Sequence, residues 1–274
     1  GVISRFHDMQ YLLQSILKKK RRFSMGAKYV VAVPTDVTEV EKRAFFDLVV
    51  HSAAKAKEVS IVERALAQGI GLGIDVKQTR GIMIVDLGAE TTEISVVAMG
   101  GLVLNKMLKI GGTTMDNAIS HLVRRRYDFL IGQLTSEMLR RRFGIFGGDS
   151  GTSMSVAGRN LLTGVPQQIE VPLSLVRAAI RDPLAECVSN IQMMLDRTPP
   201  EVLRAIQKNG IYLVGGLSNL PGLSRYIEEA LGYPVQVTRR PEICTVEGLS
   251  KIMTSKEWKS LTYSMLDDRY RWLR

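Results

Sequence analysis

The 274-residue chain has little of several features that would place it in other protein classes. It has two cysteines, Cys187 and Cys244, which are far apart and lack metal-ligand spacing, so a reducing compartment is favoured over secretion. No apolar run approaches the ~20 residues of a membrane span, and residues 1–10 lack signal-peptide character. Aromatic residues make up 6% of the chain and are not interleaved with its basic runs, so nucleic acid is an unlikely partner.

Positive charge is what the chain has in excess. Lys and Arg together number 37 against 27 Asp and Glu, which gives a formal net charge of +10. The excess is concentrated in three runs, at residues 18–22, 124–126 and 140–142. A single run of this kind is usually a solvated face. Three together favour an anionic partner, and each cation near an acidic membrane surface contributes ~1 kcal/mol.

The most informative stretch is residues 86–101, which read DLGAETTEISVVAMGG. An apolar strand runs into an acidic turn, and alternating apolar residues in 94–98 predict a second strand. Small residues in such a turn let backbone N–H groups approach phosphate oxygens, threonines add hydroxyls, and a carboxylate holds a metal ion through water. The candidate phosphate and metal residues are Asp86, Gly88, Ala89, Glu90, Thr91 and Thr92. The pattern predicts a phosphate-binding hairpin, with an ordinary polar-tipped hairpin as the alternative.

The rest of the chain predicts alternating strands and helices. Residues 9–22 have the pattern of a basic amphipathic helix, and Thr38 with Glu41 forms a capping box for the next helix. Residues 174–195 predict helical structure that is broken near Pro183. The order of strands and helices is typical of a layered α/β lobe.

Several segments occur in the order found in the MreB family, the bacterial actin-like proteins that determine rod shape. In chain order they are residues 33–46 (VPTDVTEVEKRAFF), 58–76 (EVSIVERALAQGIGLGIDV), the hairpin, 109–112 (KIGG), 158–166 (GRNLLTGVP) and 210–216 (GIYLVGG). The chain resembles this family over residues 1–253.

The resemblance implies an α/β actin-like ATPase fold of the ribonuclease H-like type, with two lobes that close over a magnesium nucleotide. Residues 1–80 would be the remainder of an incomplete first lobe, and residues 81–246 a second lobe. A small inserted subdomain would occupy about 116–171, and residues 247–274 would form a return helix and a C-terminal tail. The chain begins at a point that resembles the residue just after the family's first small subdomain, so the first phosphate loop is expected to be absent.

The chain departs from the family pattern where the chemistry would take place. Ala89 and Glu90 stand in place of two glycines, and Glu90 would put a carboxylate beside a polyphosphate. At about 4 Å and an effective dielectric of about 20, that contact costs on the order of 4 kcal/mol. Arg64 stands where the family has the glutamate that positions or deprotonates the attacking water. A guanidinium accepts no proton near neutral pH, so the resemblance implies no catalytic residue here unless Glu63 or Gln68 reaches over.

A second turn resembles the family's adenosine contact. Gly215 and Gly216 follow an apolar strand and would let the backbone lie against the adenosine, while Leu217 stands where the family has a third glycine. A βα turn that needs only small residues is the alternative. Glu137 lies in a segment that resembles the helix contacting base and ribose, although the family's charge order is not kept there.

Two classes of function follow. The first is an MreB-like cytoskeletal protein of cell-shape determination with a degenerate nucleotide site, where ATP and Mg²⁺ are bound weakly or lost. The second is a non-catalytic actin-like scaffold that does not bind ATP, and a nucleic-acid-binding module is a weaker third. The resemblance implies MreB-type filament subunits, the wall-synthesis machinery and the anionic inner membrane surface as partners. It implies a cytoplasmic location, peripheral at the inner face of the cell membrane.

Overall fold

The computed structural model describes residues 3, 5–19, 26–52, 56–145 and 151–266. The chain divides into two compact units. Unit 1 consists of Gly1–Arg80, Val97–Lys106 and Ile243–Arg274, and unit 2 consists of Gly81–Val96 and Met107–Glu242. Within the described ranges, no helix has both the length and the apolar character that crossing a bilayer requires.

Strands and helices alternate along much of the chain. The strands are β1 (Ala27–Val33), β2 (Ala56–Glu63), β3 (Ile82–Leu87), β4 (Thr92–Ala98), β5 (Gly101–Leu108), β6 (Phe129–Leu130), β7 (Ser153–Asn160), β8 (Pro166–Pro172), β9 (Ile211–Val214) and β10 (Val235–Val237). The helices are α1 (Phe6–Lys19), α2 (Glu39–Val50), α3 (Arg64–Gly71), α4 (Gly112–Tyr127), α5 (Gln133–Phe143), α6 (Leu173–Arg197), α7 (Pro200–Asn209), α8 (Leu223–Leu231) and α9 (Cys244–Thr254). Short 3₁₀ helices span Gly216–Asn219, Pro241–Ile243 and Glu257–Leu261.

Unit 1 is built on a parallel pair of strands. β1 and β2 pair from Ala27 to Val33, and one face of the pair supplies Val33 and Ile61 to a core with Phe46 of α2. The predicted capping box at α2 is confirmed, because Glu41 N donates to Thr38 Oγ1 at 3.3 Å and Thr38 N donates to Glu41 Oε2 at 2.7 Å. The hydrogen bond from the Thr38 backbone holds the pKa of Glu41 below its ordinary value.

The predicted amphipathic helix is present as α1, three residues earlier than its predicted start. Its Leu13 packs against the unit 1 core, while Tyr11, Leu12 and Ile16 are 75%, 53% and 50% exposed. Most of the predicted basic run at 18–22 lies outside the described residues, and the structure describes none of its side chains.

The segment after α9 packs on unit 1. Tyr263 forms an antiparallel bridge with Ile61 through N–O distances of 2.8 and 3.0 Å, and Met265 is buried in the same core. The Lys77 ammonium lies 5.5 Å from the centroid of the Trp258 ring. Residues 267–274 of the predicted C-terminal tail lie outside the described residues.

The strands β10, β9 and β3 and most of β4 lie in unit 2, in a sheet with the strand order β10-β9-β3-β4-β5. β9 runs parallel to both β3 and β10, and β3 is an almost continuously buried apolar run, as expected of a strand covered on both faces. A second, three-stranded sheet has the order β6-β7-β8, with β7 antiparallel to both neighbours. α4 packs against α5 and α6.

The predicted break near Pro183 is wrong, because α6 runs without interruption from Leu173 to Arg197. A proline inside a helix removes one hydrogen bond and costs ~3 kcal/mol. Buried side chains continue on both sides of it, with Ile180 before and Leu184 and Cys187 after. Tertiary packing of this long apolar stripe therefore maintains the helix where local propensity predicts an interruption.

Candidate functional site

The candidate site in unit 2 starts at the carboxyl ends of two neighbouring parallel strands. Asp86, near the end of β3, pairs with Val214, the last residue of β9. Gly215 follows with φ of +85°, and a Cβ atom there would lie 2.4 Å from Asp86 Oδ1. Only glycine fits this position without strain, because the backbone is left-handed and the carboxylate already occupies the side-chain space. Ligands of open α/β sheets characteristically bind at this edge.

The turn between β3 and β4 is fixed to the first turn of α4. Gly88 N donates to Thr91 O at 2.9 Å, which closes the turn. Gly112 N then donates to Gly88 O at 3.1 Å, and Thr113 N donates to Ala89 O at 2.8 Å. A Cβ atom on Gly111 would lie 2.4 Å from Ala89 O, so the two backbones approach as closely as glycine allows. The turn is therefore pre-organised by main-chain bonds and does not depend on a ligand for its shape.

The side chains of Glu90 and Thr92 are used within the fold. Thr113 Oγ1 donates to Glu90 Oε1 at 2.9 Å, so the carboxylate is held at the N-terminal end of α4, where the helix dipole favours a negative charge. Thr92 is fully buried, and its hydroxyl donates to Ile110 O at 2.8 Å. The sequence pattern placed both side chains at the ligand, and the structure gives each of them a protein partner. Their contact with a ligand stays a prediction.

A cavity of about 580 Å³ adjoins the turn, entirely within unit 2. Among the described residues its lining consists of Gly88, Ala89, Gly112, Glu137, Arg140, Arg141, Gly216, Leu217, Asn219, Leu220 and Glu242. Five of the residues singled out in the sequence therefore meet here: Gly88, Ala89, Glu137, Gly216 and Leu217. The lining does not include the other candidates Asp86, Glu90, Thr91, Thr92 and Gly215.

Arg140 is a cavity residue that sequence reasoning missed. Its Nε donates to Asp116 Oδ1 at 2.7 Å and its Nη2 to Asp116 Oδ2 at 3.2 Å, with the two side chains only 9% and 5% exposed. The run at 140–142 is thus not a uniform solvated face, because its first member is buried in an ion pair. The spacing of Glu137 and Arg140 was the available signal, since residues three apart share a helix face.

The second wall of the cavity is the turn after β9. Gly215 N donates to Pro241 O at 2.9 Å, Ser218 Oγ donates to Val214 O at 2.6 Å, and Asn219 Nδ2 donates to Glu242 Oε2 at 3.2 Å. These bonds hold Leu217 inward, where it is buried and presents an apolar surface. The cavity combines small residues, an apolar wall, two guanidinium groups and two carboxylates. This composition suits a ligand with an apolar ring, hydroxyl groups and phosphates.

The chemistry of the donors fits a magnesium ion only as part of a nucleotide complex. Among the described residues, no group of three or more His, Cys, Asp or Glu side chains could hold a metal ion. Mg²⁺ is ordinarily held by one or two carboxylates together with waters and substrate phosphates. Asp86, near the end of β3, is the carboxylate that would hold the ion, because Glu90 in the turn already accepts a hydrogen bond from Thr113.

In unit 1, the residues around Arg64 have partners of their own. Glu63 Oε1 accepts hydrogen bonds from Lys42 Nζ at 3.1 Å and from the Tyr263 hydroxyl at 3.2 Å. Burial favours the neutral amine of Lys42, yet the adjacent Glu63 and Glu39 carboxylates outweigh it and raise the pKa of Lys42 above its ordinary value. Gln68 Nε2 donates to Thr245 Oγ1 at 3.1 Å. Glu63 and Gln68, the two residues that sequence reasoning offered as substitutes for the absent glutamate, are both engaged within unit 1.

Comparison with known proteins gives one family. The family described as MreB/Mbl protein matches residues 1–260. The cell shape-determining protein MreB of Escherichia coli (strain K12) is 35% identical over 257 residues, which are 92% of this chain and 74% of that protein.

Solved structures agree with this assignment. MreB5 of Spiroplasma citri bound to ADP superposes with a TM-score of 0.87 and 26% identity, over 93% of this chain and 77% of that one. The MamK double helical filament superposes with a TM-score of 0.76 and 20% identity, over 93% of this chain and 79% of that one, which supports the fold alone. The predicted actin-like α/β fold is confirmed by these similarities.

Proposed function

The chain belongs to the MreB/Mbl protein family, and we propose that it is a cytoskeletal protein of cell-shape determination that binds an adenine nucleotide in the unit 2 cavity without hydrolysing it. The cell-shape role is supported by the E. coli relative, which is named a cell shape-determining protein. The lining of the cavity is the observation that supports nucleotide binding. The similar MreB5 structure is described as bound to ADP, which supports the choice of an adenine nucleotide.

Each part of the lining has a chemical task in this proposal. The backbone at Gly88 and Ala89 would approach the phosphates. Asp86, which lies outside the lining near the end of β3, would hold Mg²⁺ through water. Leu217 supplies an apolar surface for the base, and Arg140 supplies N–H donors. When bound, the nucleotide would supply the negative charge that offsets the guanidinium groups of the cavity.

We expect Gly216→Val to weaken ADP binding by about tenfold or more, because overpacking a fitted site costs ~1–3 kcal/mol. A Cβ atom at Gly216 meets no protein atom within 4 Å, so the substitution leaves the fold intact while it fills part of the cavity. Gly132→Val is the matched control, because Gly132 is equally open and does not line the cavity. Titration calorimetry measures the dissociation constants of Mg-ADP and Mg-AMPPNP for the wild type and the two variants.

Two results would count against this site. Equal ADP affinity in wild type and Gly216→Val would show that the nucleotide binds somewhere other than this cavity. A wild-type chain that binds neither ADP nor AMPPNP would favour the alternative function, an actin-like scaffold that does not bind nucleotide.

We propose that the chain does not turn over ATP because, among the described residues, those at and beside the position of the family glutamate are not free to activate water. Arg64 begins α3 where the family glutamate would stand, and Glu63 and Gln68 are held by Lys42, Tyr263 and Thr245. The chain would therefore act through nucleotide occupancy rather than through cycles of hydrolysis.

For partners, we propose other copies of MreB-type subunits, the wall-synthesis machinery and the anionic membrane surface. Self-association is supported by the similarity to MamK, whose structure is described as a double helical filament. Membrane adsorption is supported by the exposed apolar residues Tyr11, Leu12 and Ile16 on α1, together with the basic residues that follow them in sequence. A peripheral helix of this kind binds by burying its apolar side while nearby cations meet anionic lipids.

We expect adsorption to vesicles that contain phosphatidylglycerol, and a steep loss with salt, because exposed charges are screened over ~10 Å at 0.1 M. Replacing residues 18–22 by Gln should release most of the protein. Replacing Arg124, Arg125 and Arg126 at the end of α4 by Gln is the comparison, and it should release less of the protein because it leaves the apolar residues of α1 next to their own basic run. Co-sedimentation with vesicles measures the bound fraction of each protein. Equal binding to phosphatidylcholine vesicles would show that charge does not drive adsorption.

A further inference from the structure

The segment after α9, residues 255–266, contacts the outer edge of β2 in unit 1. The inner edge of β2 pairs with β1 along the whole length of β1, in a two-stranded sheet. On the outer edge, Ile61 N donates to Tyr263 O at 2.8 Å and Tyr263 N donates to Ile61 O at 3.0 Å. The segment is therefore bound as a short added strand, the way in which an exposed sheet edge takes up an extended peptide.

Two side chains fix the register of the segment on this edge. The Tyr263 hydroxyl donates to Glu63 Oε1 at 3.2 Å, and Met265 is only 5% exposed, in the core that contains Val59 and Phe46. Residues two positions apart in an extended segment point to the same side, so a shift by one residue would remove both contacts. The edge therefore recognises a Tyr-x-Met sequence and not any extended chain.

The connection between α9 and this contact is weakly held. It spans residues 255–262, contains the 3₁₀ helix Glu257–Leu261, and has no buried residue. Lys77 contacts it twice, through the Trp258 ring and through a hydrogen bond to Glu257 O. Segments with few buried contacts open at a lower free energy than the core on which they lie. The segment can therefore detach while the rest of unit 1 stays folded.

A detached segment is long enough to reach a second copy of the chain. Tyr263 lies nine positions after Thr254, the last residue of α9, which is about 30 Å of extended chain at ~3.3 Å per residue. Each copy carries the same edge and the same segment, so exchange between two copies needs no new interface. The family model matches residues 1–260, and Tyr263 and Met265 lie beyond this match.

We propose that residues 255–266 are an exchangeable docking segment, which binds the β2 edge of its own copy or the same edge of a second copy. In the exchanged arrangement, Tyr263 and Met265 of one chain pair with Ile61 and Glu63 and fill the core of the other chain. This exchange links two copies through unit 1 and requires neither the nucleotide cavity nor a membrane.

Two single-cysteine chains test the exchange. Ser60 and Ser264 line the same cavity beside the bridge, so cysteines at these positions meet when the segment is docked. In a mixture of Ser60→Cys and Ser264→Cys chains, they meet only when the segment of one chain docks on the other. Ser60→Cys mixed with Ser260→Cys is the matched control, because Ser260 is exposed on the same segment and does not line the cavity. The native cysteines are both buried.

Mild oxidation after incubation, followed by non-reducing electrophoresis with a size tag on one chain, measures the covalent heterodimer. We expect at least about tenfold more heterodimer from the first mixture than from the control, because a disulfide requires Cα atoms within ~7 Å. An excess of a synthetic peptide of residues 255–266 should abolish it, whereas the peptide with Tyr263→Ala and Met265→Ala should not. Equal yields from the two mixtures would overturn the exchange.

Fluorescence anisotropy of the labelled peptide tests the edge itself. We expect the peptide to bind the full chain carrying Tyr263→Ala/Met265→Ala at least about tenfold more tightly than it binds the wild type, whose own segment occupies the edge. Thermal melting checks that this variant folds, and Met265→Ala alone replaces it if it does not. Equal peptide affinity for variant and wild type would overturn recognition of the Tyr-x-Met sequence. Peptide binding without the heterodimer would overturn a second copy as the occupant.

Discussion

Asp116→Ala should lower the free energy of unfolding of unit 2 by about 3–5 kcal/mol, because removing one partner of a buried ion pair leaves the other charge desolvated and unpaired. Arg140 is 9% exposed and cannot turn out to water without leaving the contact with Gly112. Chemical denaturation followed by circular dichroism measures the change, and a reduced midpoint at an unchanged slope would identify it as a loss of stability.

The double variant Asp116→Leu/Arg140→Met provides the opposite expectation. With both charges removed, its stability should return to the wild-type level, since apolar packing replaces a pair whose desolvation offsets its attraction. Glu229→Ala, which breaks an exposed pair on α8, should change little. A small effect of Asp116→Ala, comparable to that of Glu229→Ala, would show that water in the adjoining cavity replaces Asp116 as the partner of Arg140.

ATP turnover by the chain should stay at the rate of the uncatalysed background, because general-base catalysis is typically worth ~10²–10⁴-fold and Arg64 stands at the position of the family's base. Arg64 cannot accept a proton, and Glu63 already accepts hydrogen bonds from Lys42 and Tyr263. Phosphate release under saturating Mg-ATP is the measurement.

Two further variants test whether Glu63 or Gln68 acts as the base. Glu63→Gln and Gln68→Ala should leave phosphate release at background, since neither residue serves as a hidden base. Phosphate release above background that Asp86→Ala abolishes would refute the proposal that the chain does not hydrolyse ATP.

Local signals in the sequence predicted much of the fold. The strand at β3, the turn after it and the strand at β4 follow from a short apolar run and a period-two pattern, and the Thr38 and Glu41 capping box marks the start of α2. The continuity of α6 through Pro183 was not predicted, because it depends on packing along both halves of the helix. Residue patterns predict local conformational preference and do not predict tertiary contacts of this kind.

The same limit applies to the site. Gly88, Ala89, Gly216 and Leu217 could be found from their place at strand ends, where a ligand-binding edge is expected. The pairing of Arg140 with Asp116 joins residues 24 positions apart, and within a basic run Arg140 looks like its exposed neighbours. Glu90 was assigned to the ligand because the sequence does not reveal Thr113 as its partner.

Amide hydrogen exchange with and without Mg-ADP measures directly whether a nucleotide binds in the unit 2 cavity. We expect slower exchange on ADP addition in residues 88–91, 112–116 and 215–220, because these backbones line or brace the cavity. The Gly216→Val protein should show this protection only at higher ADP concentrations. Unchanged exchange in these three segments at saturating ADP, or protection confined to unit 1, would contradict the account.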